Sequence, residues 1–198
     1  MKIIKKLVFV AIIIIIFSCS KKEETPTPVS YQEENFLDNY LAATGFNQTT
    51  ANVVDGADNE LGTEFVPLVK GKITSITFKL PAVNNGIRFT VWKKATAFPF
   101  FSFVRNTSTP ANTLVTIPIS AVNSPNLDKD TEYAITMNTN DWYNRKKTDG
   151  TAVTYPITVG NIKILSYKYK SGTSQSYPDT QNNTVYSGDL SFTFLRTE

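Results

Sequence analysis

Ile87-Arg88-Phe89-Thr90-Val91-Trp92, residues 87–92, sets apolar side chains at every second position. A period of two puts Ile87, Phe89 and Val91 on one face of a strand and Arg88, Thr90 and Trp92 on the other. Asn85-Gly86 immediately before it predicts a tight hairpin, because a type I′ turn needs positive φ at both central positions. The same alternation recurs outward along the chain. Ile76, Phe78 and Leu80 carry it on one side, and Val115, Ile117 and Ile119 on the other. Tyr133, Ile135 and Met137 repeat it, as do Leu190, Phe192 and Phe194 near the C-terminus. Clusters of Gly, Pro, Asn, Asp and Ser at 84–86, 108–112, 123–130, 149–150 and 171–183 separate the runs. Pro118 marks an edge strand or a strand end, since it has no N–H to give a ladder. The pattern predicts a mainly β protein of eight or nine short strands, an antiparallel β-sandwich that is jelly-roll-like.

One helix is expected, over Glu33 to Ala43. Phe36, Leu37, Tyr40 and Leu41 form a single apolar stripe, and Gly45 follows as a stop. This helix is expected to pack on an end or edge of the sandwich. The sandwich itself is expected to fill residues 31–198 as one domain.

The N-terminus has a different logic. Lys2, Lys5 and Lys6 form a basic leader, and Leu7 to Phe17 is an unbroken apolar run of 11 residues. A helix of that length rises about 16 Å, against a hydrocarbon core about 30 Å thick. The run therefore fits the apolar region of a cleaved signal over 1–18. Ile16-Phe17-Ser18-Cys19 resembles a bacterial lipobox, with Phe17 where a small residue is usual. An ordinary secretory signal with an incidental cysteine is the alternative. Cys19 is the sole cysteine of the chain and sits where lipidation needs a thiol. Each buried methylene of an attached lipid contributes about 0.8 kcal/mol, and two or three acyl chains make a durable anchor. The expected membrane partner is thus reached through lipid on Cys19, without a spanning helix. Residues 19–30, with Pro26 and Pro28 among threonines, read as an extended tether. Lys22-Glu23-Glu24 resembles the surface-export signal of Bacteroidota lipoproteins. The expected location is the outer membrane with the domain facing outward; a periplasm-facing lipoprotein is the alternative.

Loss of the leader removes three lysines and leaves 17 basic against 17 acidic side chains. The basicity belongs to the signal, and the densest basic clusters are the pair Lys93-Lys94 and the pair Lys146-Lys147 with Arg145 beside it. That is too sparse to neutralise a phosphate backbone, so no nucleic-acid partner is expected. Histidine is absent, and lipidation would take the one thiol. His-dependent triads, thiolate catalysis and cysteine or histidine metal sites fall away with them. No cofactor motif is present.

Glu60-Leu61-Gly62-Thr63-Glu64-Phe65 leads through Gly71-Lys72-Ile73-Thr74-Ser75-Ile76 into Phe89-Thr90-Val91-Trp92, and later to Thr131-Glu132-Tyr133-Ala134-Ile135. This order resembles the domain of unknown function 4082 family over about residues 45–140. The segments 140–143 and 155–162 are similar to related Bacteroidota lipoproteins. The resemblance implies an extracellular β-sandwich module often found near carbohydrate-active domains, and no catalytic residues.

Trp142-Tyr143 is the leading ligand-binding candidate. It stands in the polar stretch 138–147, just after a strand. Aromatic faces exposed in a sandwich loop there can stack on sugar rings, with Asp141, Asn144 and Arg145 as polar contacts. The alternative is that Trp142 folds back to cap the core. Trp92 is either part of a binding face or buried under whatever covers that face. The acidic groups at 55–60 and 128–132 invite calcium but also suit turns, and no metal set is assigned. After Gly45 the glutamates are Glu60, Glu64 and Glu132 apart from Glu198, and no spacing pairs them for hydrolysis. The expected function is non-catalytic binding of an extracellular glycan. The alternative is a structural or adhesive module that meets a cell-surface protein.

Overall fold

The computed structural model describes residues 30–198. The signal at 1–18, Cys19 and the tether up to residue 29 lie outside the described residues. The chain is mainly β, with antiparallel sheets and one short helix, as the alternation predicts.

Two sheets face each other. The first contains β1 (Glu33–Asn35), β4 (Gly71–Phe78), β7 (Val115–Pro118), β8 (Asn126–Leu127) and β15 (Ser191–Arg196). Its order is β1-β15-β4-β7, with β8 also on β4. The second contains β3 (Asn59–Pro67), β5 (Ile87–Lys93), β6 (Phe98–Arg105), β9 (Tyr133–Thr139), β11 (Ile157–Val159), β12 (Ile162–Ser171) and β13 (Thr180–Gln181). Its order is β11-β12-β3-β9-β5-β6, with β13 also on β12. The chain crosses between the sheets from β3 to β4, β4 to β5, β6 to β7 and β8 to β9, in a jelly-roll-like manner. Rings from the two inner faces meet in the core. Phe65 lies 4.7 Å from Phe192, and Phe78 lies 4.8 Å from Phe89, centroid to centroid. Burial of each such side chain contributes about 1.5–3 kcal/mol. A third, small sheet of β14 (Tyr186–Ser187), β10 (Trp142–Lys146) and β2 (Thr49–Val53) completes the fold.

Three expectations change. The helix, α1, spans Leu37–Thr44 instead of starting at Glu33. Glu33, Glu34 and Asn35 pair with Leu195, Phe194 and Thr193, so strand pairing takes the residues before it. Asn35 Oδ1 then accepts the Leu37 N–H at 3.1 Å, and Gly45 ends the helix at φ 74°. Second, Asn85-Gly86 does not close a hairpin. The flanking strands β4 and β5 lie in different sheets, and only Gly86 has positive φ. Its N–H bonds Arg105 O at 3.0 Å, so the turn serves a sheet-to-sheet crossing. Third, Trp142-Tyr143 is not in a loop: both residues belong to β10.

The outer face of the second sheet is also buried. Residues 172–179, the connection from β12 to β13, fold back across it. Asn138 Nδ2 donates to Gly172 O at 2.9 Å, and Arg88 donates to Thr173 O at 2.9 Å. Gln175 donates to Thr90 and Ser102, and Tyr177 to Glu64 at 2.6 Å. Trp92 lies beneath this strap, its ring edge-on to Tyr177 at 5.8 Å and its Nε1–H on Thr136 Oγ1 at 2.8 Å. It is part of the scaffold.

Candidate functional site

Alternation along β10 decides which candidates can act together. Trp142 and Asn144 project to one face of the strand, Tyr143 and Arg145 to the other. On the first face lies a cleft of about 230 Å³. Trp142 and Asn144 form one wall, and Tyr167 and Tyr169 of β12 another. Asn59 and Leu61 of β3 also line it, and Ser187 of β14 joins Asn182 and Val185 from the preceding loop. Trp142 and Tyr169 are half-buried, so each keeps part of its ring in contact with solvent. The indole rests on Gly56, where even a methyl group would approach its ring to 3.1 Å. Its Nε1–H is fixed on Asn144 Oδ1 at 3.0 Å, and Ser187 Oγ–H donates to the same oxygen at 2.6 Å. The aromatic platform is thus held in one orientation before any ligand arrives.

The other sequence candidates serve the scaffold. Tyr143 is buried, and its hydroxyl donates to Asn112 Oδ1, with Leu80 O farther off at 3.4 Å. Burial, followed by the Asp189 carboxylate, raises the pKa of this phenol. Arg145 forks onto both carboxylate oxygens of Asp189, which is buried. Those hydrogen bonds raise the Arg145 pKa further. Asp141 is buried too; its carboxylate accepts the Asp55 N–H at 2.8 Å and the Asn84 amide. Of the candidates Trp142, Tyr143 and Arg145, the structure thus sets Trp142 on one face of β10 and Tyr143 and Arg145 on the other. Asn144 is the polar candidate that stays beside Trp142.

Tyr169, Asn182 and Ser187 were not singled out in the sequence. Tyr167 and Tyr169 alternate with Lys168 and Lys170, which marks a strand with an aromatic face. Nothing local tells that this face meets β10.

The acidic groups are engaged elsewhere. Glu60 accepts from Arg88 at 2.7 Å and from Thr136. Glu64 accepts from Lys168 at 2.9 Å, Ser166 at 2.8 Å and Tyr177, with Lys94 at 3.3 Å. Burial by itself would raise the Glu64 pKa, but the hydrogen bonds from Tyr177, Lys168 and Ser166 outweigh it and the pKa falls. Lys94 also pairs with Glu132 at 2.7 Å. Among the described residues no three carboxylates, histidines or cysteines are grouped to hold a metal ion, and no helix is long and apolar enough to cross a membrane.

No protein-family model matches the chain, and no curated protein matches its sequence.

Proposed function

We propose that this chain is a non-catalytic lipoprotein, anchored at the outer membrane through Cys19 and facing outward, whose β-sandwich binds an extracellular glycan. The observation that carries the binding reading is the cleft between β10 and β12. It pairs two partly exposed aromatic rings, Trp142 and Tyr169, with side-chain amides and a hydroxyl. Apolar ring faces with a few fixed polar groups suit a sugar, which is itself apolar on its C–H faces and polar at its edge. The absence of histidine from the chain and the engagement of Glu60, Glu64 and Glu132 by cations support a non-catalytic role. The resemblance to the domain of unknown function 4082 family belongs to the same proposal.

A glycan array probed with the purified protein tests it, with Trp142→Ala and Tyr169→Ala beside the wild type. Selective binding to a glycan subset is expected, reduced at least about tenfold by either substitution while circular dichroism stays unchanged. A blank array, or binding indifferent to both substitutions, overturns the reading.

A second reading, an adhesive protein-contact module, is favoured by the free edge of β6. There Phe98 is 62% exposed and Val104 48%, beside a groove of about 590 Å³ that includes Phe101, Phe103, Ile117 and Ile119. An apolar edge of this kind is where another chain can add.

A further inference from the structure

The hydrogen-bonding polarity of the cleft is set by groups that can only donate. Asn144 Oδ1 accepts the Trp142 indole N–H. An indole N–H has no acceptor capacity, so the Asn144 atom beside it must be oxygen, and the amide cannot be turned around. Ser187 Oγ meets the same oxygen at 2.6 Å, which commits the hydroxyl proton to it. Asn182 is fixed in the same way. Its Oδ1 accepts the backbone N–H groups of Thr184 at 2.9 Å and Val185 at 3.1 Å. Asn59, by contrast, has both ends of its amide engaged, donating to Ala57 O at 2.7 Å and accepting from Ser171 at 2.9 Å.

What remains is specific. Asn144 and Asn182 each have an NH₂ group with no partner among the described residues. Ser187 has acceptor lone pairs and no proton to give. Two amide donors and one hydroxyl acceptor are thereby assigned; Tyr167, hydrogen-bonded to Ser187, and Tyr169 add phenol groups to the lining, and Leu61 and Val185 give apolar surface next to them.

Charge and size narrow the ligand further. No Asp, Glu, Lys or Arg lines the cleft. Lys168 and Lys170, the neighbours of Tyr169, alternate to the other face of β12, where they are held by Glu64 and Asp179. An anionic ligand would give up hydration here without gaining a cation. The volume of about 230 Å³ is below the roughly 300–1,000 Å³ of pockets that enclose drug-sized ligands. It suits one ring.

Resting on the glycan reading, we propose that the cleft recognises the acetamido group of a neutral N-acetylated sugar ring. The acetamido carbonyl accepts from the Asn144 and Asn182 amides, and its N–H donates to Ser187 Oγ. The methyl group packs on Val185, and the ring lies on the Trp142–Tyr169 side. A plain hydroxyl at that position can satisfy at most part of this set.

NMR titration of the purified full-length chain tests the assignment. N-acetylglucosamine and N-acetylgalactosamine are compared with glucose, galactose and glucuronic acid. The N-acetylated sugars are expected to bind at least about tenfold more tightly than their parent hexoses, the scale of a hydrogen-bonded group gained. Ser187→Ala and Asn182→Ala, each checked for unchanged fold by circular dichroism, should narrow that ratio. Equal affinity for glucose and N-acetylglucosamine overturns the acetamido assignment while leaving glycan binding in place. Preference for glucuronic acid overturns the neutral-ligand argument. No sugar binding at all, with a blank glycan array, is the failure of the glycan reading itself and removes this inference with it.

Discussion

Arg145 places its guanidinium on Asp189, a carboxylate that is 2% exposed, and stacks near the Tyr143 ring at 5.8 Å. Removing one partner of such a pair leaves an uncompensated buried charge. Arg145→Ala should therefore cost about 3–5 kcal/mol in denaturant unfolding. Tyr143→Phe should cost about 1 kcal/mol, because it deletes only the hydroxyl that reaches Asn112. Neither residue lines the cleft, so Tyr143→Phe should keep full glycan binding. A folded Tyr143→Phe protein that no longer binds would move the site to the other face of β10. Trp142 and Tyr143 show what sequence can and cannot locate at this scale. Both are aromatic in a polar stretch, and residue type marks them equally. Their roles diverge because one strand position separates them, and which face meets β12 depends on long-range pairing that local sequence does not encode.

At the scale of elements, the strap 172–179 and strand β3 explain each other. Glu60 and Glu64 project from β3 onto the outer face of the large sheet, where water would normally meet them. The strap closes over that face, and Tyr177 brings its hydroxyl to Glu64. Burial, then the hydrogen bond to Glu64, raises the Tyr177 pKa, so the phenol remains a donor. The Glu64 carboxyl is held below its ordinary 4.5. A folded-state pKa below the unfolded one gives stability that is present above the unfolded value and is lost as pH falls through the folded value. Glu64→Gln should lower stability at neutral pH by about 1.5–3 kcal/mol, the worth of hydrogen bonds to a charged group. That difference from wild type should shrink as pH drops from about 5 to about 3 in urea melts. A difference constant across the range would mean that Glu64 charge does not hold the strap. These elements were also the least legible in the sequence. β3 has Thr63 between Leu61 and Phe65 on its inner face, so it lacks the unbroken apolar alternation that identified β5 and β9. β12 has a register shift between Ile164 and Ser166, which moves its inward residues from Ile162 and Ile164 to Tyr167 and Tyr169. A search for period two breaks at that bulge. The runs at 87–92, 133–137 and 190–194 keep an apolar residue at every second position, and each forms a strand of the sandwich or leads into one.

For the whole molecule, the anchor and the cleft ask different things of the chain. Among the described residues, the core that closes the sandwich draws on residues from Phe36 to Phe194. Membrane attachment, on the proposed reading, rests entirely on Cys19. One acyl chain holds a protein only marginally and reversibly, whereas two or more give stable attachment. Loss of the thiol should accordingly act as a switch on location and leave folding unchanged. Cys19→Ala protein that has been exported is expected in the soluble fraction, with the same melting temperature as the wild-type domain and the same glycan preference. Metabolic labelling with an alkyne palmitate should mark the wild-type protein and miss the variant. If the exported variant stays in the membrane pellet after an alkaline wash, the chain is held by something other than lipid on Cys19. The exposed β6 edge, with Phe98 at its start, is then the surface to examine, because an added strand from a membrane partner would retain the protein without any lipid.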